Sequence, residues 1–226
     1  MTSPDTIRRL DDLIQSRSIL RHPFYVAWQQ GTLTRAQLAT YARVYYPHVA
    51  AFPRYLESAS ATATDPDVRA ALDRNLADEL HHPKAHHELW LDFAAGLGLD
   101  REGVAAAAPQ ATTTAVVATF DRLTQSGTAN GLAALYAYES QQPEVSREKA
   151  VGLRRHYGVT DAAALSYFEV HAETDLAHRA EERDALERCL AQGASDEAVL
   201  ASAGQALDAY WALLDGVCAE AGISCS

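Results

Sequence analysis

The amino-acid sequence predicts an all-α protein, a single bundle of roughly seven helices. Three observations carry that prediction. Alanine, the strongest helix former, is abundant; long stretches contain no glycine; and runs of alternating β-branched residues, the mark of half-buried strands, are absent. With 226 residues the chain can bury a substantial core, and 48% hydrophobic with 22% charged residues is ordinary for a globular protein. No repeat or low-complexity linker divides it, so residues 1–226 are expected to form one helical domain.

Taken in order, residues 5–17 read as a first amphipathic helix, followed by a break at residues 21–25, where Pro23 disfavours helix at His22. Thr34 is placed to cap a helix over 35–61, with kinks or a break expected at Pro47 and Pro53. Asp65 and Pro66 open the next, which carries residues 70–96 and must be distorted at Pro83. Residues 96–111 read as a connection with room for one short helix. A helix over 114–125 stops at Ser126 and Gly127, and one over 132–155 is interrupted at Pro143. A long helix is expected over 161–191, and a last one over 195–221, capped by Ser195 and stopped by Gly222.

The net charge of −11 argues against nucleic acid as a partner, because phosphate binding needs a basic surface. Residues 1–12 are polar and lack the apolar core of a signal peptide. No run approaches the roughly 18 apolar residues needed to cross a bilayer. The expectation is a cytoplasmic protein without a membrane partner. The three cysteines, Cys189, Cys218 and Cys225, lie near the C-terminal end without a CxxC pair. No disulfide framework is expected, and Cys225 is expected to be exposed.

Three windows hold residues suited to metal chemistry. His171, Asp175 and His178 stand at i, i+4 and i+7, so at 3.6 residues per turn they share one helical face. Glu79 and His86, seven apart, can share a face in the same way. Glu139 follows Leu132, Leu135, Tyr136 and Tyr138, where an unpaired carboxylate is costly to bury and a metal would resolve the cost. The bland readings are real. A lone helical histidine is usually a surface or satisfied core residue, and the cluster His81, His82, His86 and His87 could be a solvated face. The joint occurrence raises the metal reading: six of the nine histidines fall in two of the windows. Three imidazoles and three carboxylates suit two iron or manganese ions with a bridging carboxylate. They exceed what one tetrahedral zinc takes.

These windows resemble the heme-oxygenase-like diiron oxidases. Among them, the chain is similar to the family of the chlamydial protein associating with death domains (CADD), from the His-Pro-Phe-Tyr of residues 22–25 to about residue 183. The resemblance implies a seven-helix heme-oxygenase-like bundle of the TENA/PqqC-like group. It implies that Glu79, His86, Glu139, His171, Asp175 and His178 hold two metal ions, Fe/Fe or Fe/Mn, with O2 as co-substrate. It also implies a place in folate biosynthesis, since family members make 4-aminobenzoate by a self-sacrificing reaction in which a tyrosine of the protein supplies the ring. The matching tyrosine is Tyr25, the matching amine donor Lys149, and Tyr41 matches a further tyrosine near the metals. Residues 80–83 depart from the family pattern, which leaves His82 and His87 open as competitors of His86.

On their own, Tyr25 reads as a core tyrosine after a turn and Lys149 as a solvated helix lysine among Glu144, Arg147 and Glu148. Four rival functions stand beside the self-sacrificing oxidase. A diiron oxidase could act on an external small molecule with the same six ligands. A cofactorless PqqC-like oxidase would need no metal and a basic pocket, against the ligand set and the acidic chain. A thiaminase-like hydrolase would need a cysteine nucleophile, and all three cysteines lie outside the windows. A protein-interaction module, suggested by the family's name, would leave the buried carboxylates unexplained. Fold analogy suggests a homodimer.

Overall fold

The computed structural model describes residues 3–224, and the described residues form helices and connections without a strand. The helices are α1 (Ser3–Ser16), α2 (Pro23–Gln30), α3 (Arg35–Thr62), α4 (Pro66–His81), α5 (His86–Gly96), α6 (Arg101–Ala105), α7 (Ala111–Gln125), α8 (Thr128–Glu139), α9 (Gln142–His156), α10 (Ala162–Ala191) and α11 (Asp196–Ala221). Two of the seven expected helices divide, at Pro83 and before Pro143, and two short ones, α2 and α6, are added. None is long and apolar enough to cross a membrane.

The ends follow local chemistry. Thr34 and Gln37 form a capping box at the start of α3, while Asp65, Asp161 and Ser195 each accept a backbone N–H at the start of α4, α10 and α11. Gly222, left-handed at φ 62°, ends α11. Pro23 sits in the first turn of α2, where its missing N–H costs nothing, so the expected break is a helix start. The His22 ring caps it by accepting from the Phe24 N–H.

Of the kinks or break expected at Pro47 and Pro53, the break is absent: α3 runs through both prolines. Each removes one backbone bond, but this helix packs against α4, α5, α7, α8 and α11. It buries Tyr41, Tyr45, Val49, Phe52, Tyr55 and Leu56, and tertiary burial of this extent overrides local propensity.

At the other side of the core, α10 is flanked by α4, α5, α8 and α9, so a residue on its inner face meets residues from several helices. Among the described residues the largest fully buried side chains are aromatic, with one exception: Lys149. Cys218 is disulfide-bonded, which departs from the expectation for the cysteines; Cys189 is free, and Cys225 lies outside the described residues.

Candidate metal centre and lysine chamber

The inner face of α10 presents His171, Asp175 and His178 to the core, all buried. The structure gathers the six candidate ligands into two groups, Glu79 with His86 and His171, and Glu139 with Asp175 and His178. Within each, one donor atom per residue lies within 4.8 Å of the others.

Glu79 and His86 do not share a helical face as their spacing suggested. Pro83 separates α4 from α5, and the two side chains meet across the break, with Glu79 Oε1 2.7 Å from His86 Nδ1. The break also separates His86 from its competitors. His86 is fully buried, His82 is exposed, and His87 is partly exposed beside Glu88.

Each imidazole is oriented from behind. His86 Nε2 donates to the His82 carbonyl at 3.1 Å and His171 Nδ1 to the Tyr167 carbonyl at 2.7 Å. Because a carbonyl only accepts, these bonds fix the tautomers and turn His86 Nδ1 and His171 Nε2 toward the carboxylates. His178 Nε2 lies 3.0 Å from Asp78 Oδ2. Its other nitrogen, Nδ1, faces Asp175 Oδ1 at 3.4 Å and Glu139 Oε1 at 3.6 Å. Asn75 Nδ2 donates to both oxygens of Glu139 at 3.0 Å. Between the groups lies a cavity of about 10 Å³, bordered by Glu79, Glu139, His171 and Asp175 with Tyr138, Tyr167, Val49 and Phe52. That is room for one molecule the size of water.

The electrostatics require positive charge here. Burial alone would raise Glu79, but the His86 and His171 imidazoles outweigh it and hold the carboxyl well below the usual range. Burial pulls His178 down, yet the Asp175 and Glu139 carboxylates beside its Nδ1 lift it to about 11. Burial raises Asp175. His178 Nδ1 and Asp175 Oδ2 are buried without a hydrogen-bond partner. Oriented imidazoles, converging carboxylates and orphaned donor atoms fit a pair of first-row metal ions with mixed nitrogen and oxygen ligands.

A second constellation adjoins this one. Lys149 Nζ lies over the rings of Tyr25 at 5.1 Å, Tyr41 at 5.3 Å, Phe168 at 5.4 Å, Tyr45 at 5.5 Å and Trp90 at 5.8 Å. The Tyr25 and Tyr41 hydroxyls are 3.3 Å apart. Burial keeps both phenols neutral, well above their ordinary value, and pushes the Lys149 amine well below its own. A series of rings joins the chamber to the candidate ligands. Tyr167 stacks on His171 with centroids 4.0 Å apart and meets Trp90 at 4.8 Å, and Trp90 meets Tyr41 at 5.5 Å.

Lys149→Met is expected to raise the Tm of the metal-free protein at neutral pH. The folded amine has the lower pKa, so the unfolded chain binds more protons below its value of 10.5, and wild-type stability falls as pH drops from there. The methionine variant lacks this loss, so its advantage should shrink as pH rises toward 10.5. Each kcal/mol relieved corresponds to about 2–4 °C in Tm for a chain of this size. A lower Tm, or a pH-independent difference in thermal scans, would contradict the assignment of Lys149 as a buried neutral amine.

Sequence reasoning missed the supporting residues. Asn75 lies four positions before Glu79, Asp78 is its neighbour, and buried Glu182 continues the stripe of α10 at four past His178. That periodicity could have drawn attention to Asn75 and Glu182. Nothing local marks Asp78, Trp90 or Tyr167.

Comparison with known proteins agrees with this arrangement. The profile of the family described as iron-containing redox enzyme matches residues 39–211. A 4-aminobenzoate synthase of Chlamydia trachomatis is 38% identical over 219 residues, covering 96% of this chain and 94% of its own. The 4-aminobenzoate synthase of Nitrosomonas europaea is 37% identical over 220 residues, covering 93% and 89%. The crystal structure of a CADD-like protein of unknown function from Nostoc punctiforme superposes with a TM-score of 0.76 over 98% of this chain and 99% of its own, at 21% identity. The likeness to that structure carries the heme-oxygenase-like, CADD-like fold, and the profile match together with the sequence relatives establishes the rest: this chain belongs to the iron-containing redox enzymes.

Proposed function

We propose that this protein is a 4-aminobenzoate synthase that builds its product from two of its own side chains, Tyr25 and Lys149. The observation that carries the proposal is the juxtaposition of the two. A buried lysine with no counter-charge lies 5.1 Å from the ring of a buried tyrosine, beside a cluster of candidate metal ligands. Relatives 37–38% identical bear the name 4-aminobenzoate synthase.

The product's amino group stands para to its carboxylate, as the phenolic oxygen of tyrosine stands para to Cβ. Tyr25 therefore supplies the ring together with the carbon that becomes the carboxylate. Lys149 supplies the nitrogen at the ring carbon that bears the phenolic oxygen: the new C–N bond replaces that C–O bond, with the oxygen leaving as water. The Nζ–Cε bond of Lys149 and the Cα–Cβ bond of Tyr25 are cleaved, and O2 is the oxidant that takes Cβ to the carboxylate. Burial keeps the Lys149 amine neutral, so the lone pair is available where an exposed lysine would be protonated. Tyr41 holds the Tyr25 hydroxyl in place. The surrounding Tyr45, Trp90 and Phe168 exclude water that would compete with the amine.

Glu79, His86, Glu139, His171, Asp175 and His178 are the residues that would hold the metals. Iron with iron, or iron with manganese, supplies the redox capacity to activate O2. The rings of Tyr167 and Trp90 lie between these ligands and Tyr41, close enough in contact to pass an electron.

The test is to load the purified protein with iron, with or without manganese, admit O2 and a reductant, and add no organic substrate. Formation of 4-aminobenzoate supports the reading. Metal uptake without product returns the site to an oxidase acting on an external molecule.

A further inference from the structure

One acidic side chain beside the second ligand group has no part in the reading above. Glu182 lies one turn beyond His178 on α10 and continues the stripe of His171, Asp175 and His178. It is 3% exposed, and neither of its carboxylate oxygens has a hydrogen-bond partner. The groups that act on it electrostatically are Glu139, whose carboxylate it faces, and Asp175, both acids. It borders a crevice shared with His178, Asn75, Leu72 and Leu132 that is too tight to admit a water. In the same neighbourhood Asn75 Oδ1 is also buried and unpartnered. The imidazole of His178 and the amide of Asn75 serve Asp175 and Glu139, so a third acid set against those two, with no hydrogen-bond partner of its own and no room for water, is a costly arrangement for a protein interior. Packing does not demand it, since the next inward positions of the helix are Ala185 and Leu186.

We propose that Glu182 is a further ligand of the second metal position, completing a set of Glu139, Asp175, His178 and Glu182. The proposal rests on the dinuclear reading and adds an asymmetry to it. The second position is then built from three carboxylates and one imidazole, the first from one carboxylate and two imidazoles. Oxygen-rich sets suit hard ions such as manganese, and imidazoles suit iron, so the two positions differ in preference. One ion near Glu182 neutralises the mutual repulsion of the three acids and satisfies the orphaned oxygens at the same time.

The test is a titration of the metal-free protein with Mn(II), with unbound ion followed by electron paramagnetic resonance. Wild type is expected to take up two ions per chain. Glu182→Gln, which keeps the side-chain shape and removes the charge, is expected to weaken the uptake of one ion at least tenfold and to leave the other unchanged. Glu173→Gln, on the exposed side of the same helix, serves as control and should match wild type. Crystals of the Mn(II)-loaded wild type should show a Glu182 oxygen bonded to the ion. Two ions bound by Glu182→Gln with wild-type affinity, or a loaded structure with Glu182 outside bonding distance, overturns the proposal. A wild type that binds fewer than two ions overturns the dinuclear reading and this proposal with it.

Discussion

Tyr25→Phe is expected to abolish 4-aminobenzoate formation while leaving metal uptake intact. Tyr25 is fully buried in α2 and touches the candidate metal ligands only through intervening rings, so removing its hydroxyl does not disturb Glu79, His86 or His171. What the variant loses is the phenolic oxygen, the group that the Lys149 nitrogen is proposed to replace on the ring and the one that accepts or donates the 3.3 Å bond to Tyr41. Phenylalanine is also much harder to oxidise than a phenol. The effect should therefore be complete loss of product. The stability change should stay within the roughly 1 kcal/mol typical of one buried hydrogen bond. Product formed at wild-type yield by Tyr25→Phe would show that the ring comes from elsewhere.

Asp175→Ala carries the second large effect, on the metals. Asp175 is 1% exposed, belongs to the second ligand group and has one oxygen without a protein partner. The variant should retain the group formed by Glu79, His86 and His171 and lose the ion at the other, so metal content falls from about two per chain to about one. An ion supplied at 100 times its dissociation constant stabilises a protein by about 2.7 kcal/mol, and that increment of holo stability should vanish with it. Product formation should cease, since one metal position is gone. Elemental analysis and thermal scans with and without metal check both parts. Full metal content in Asp175→Ala would remove this residue from the ligand set.

Much of this was legible in the sequence because it is written in local periodicity. The spacing of His171, Asp175 and His178 places three candidate ligands on one face of any helix, and α10 bears that face toward the core. Glu139 was legible from its apolar setting, since a carboxylate among Leu132, Leu135 and Tyr136 needs a partner. Caps at Thr34, Asp65 and Ser195 read correctly because a cap is a contact within a few residues.

What was not legible depends on distant parts of the chain. Pro47 and Pro53 read as kinks or a break, and only the packing of α3 against its neighbours shows why the helix runs through them. Pro83 was visible as a disturbance, but not that the turn after it swings His86 back onto Glu79. Lys149, between Glu148 and Ala150 on a helix rich in charge, carries no local sign of burial; Tyr25, Tyr41 with Tyr45, Trp90 and Phe168 come from four separate helices to enclose it. Its candidacy came from family resemblance, and its chamber from the fold.

The central claim, that the protein consumes its own tyrosine, is tested most directly by isotope. Protein is produced with ring-labelled tyrosine, loaded with metal and given O2 and a reductant in unlabelled buffer without added organic substrate. The account predicts 4-aminobenzoate carrying the ring label, at no more than one molecule per chain, with residue 25 recovered by peptide mass spectrometry stripped of its side chain. Unlabelled product, or labelled product from a protein whose Tyr25 remains whole, would contradict it.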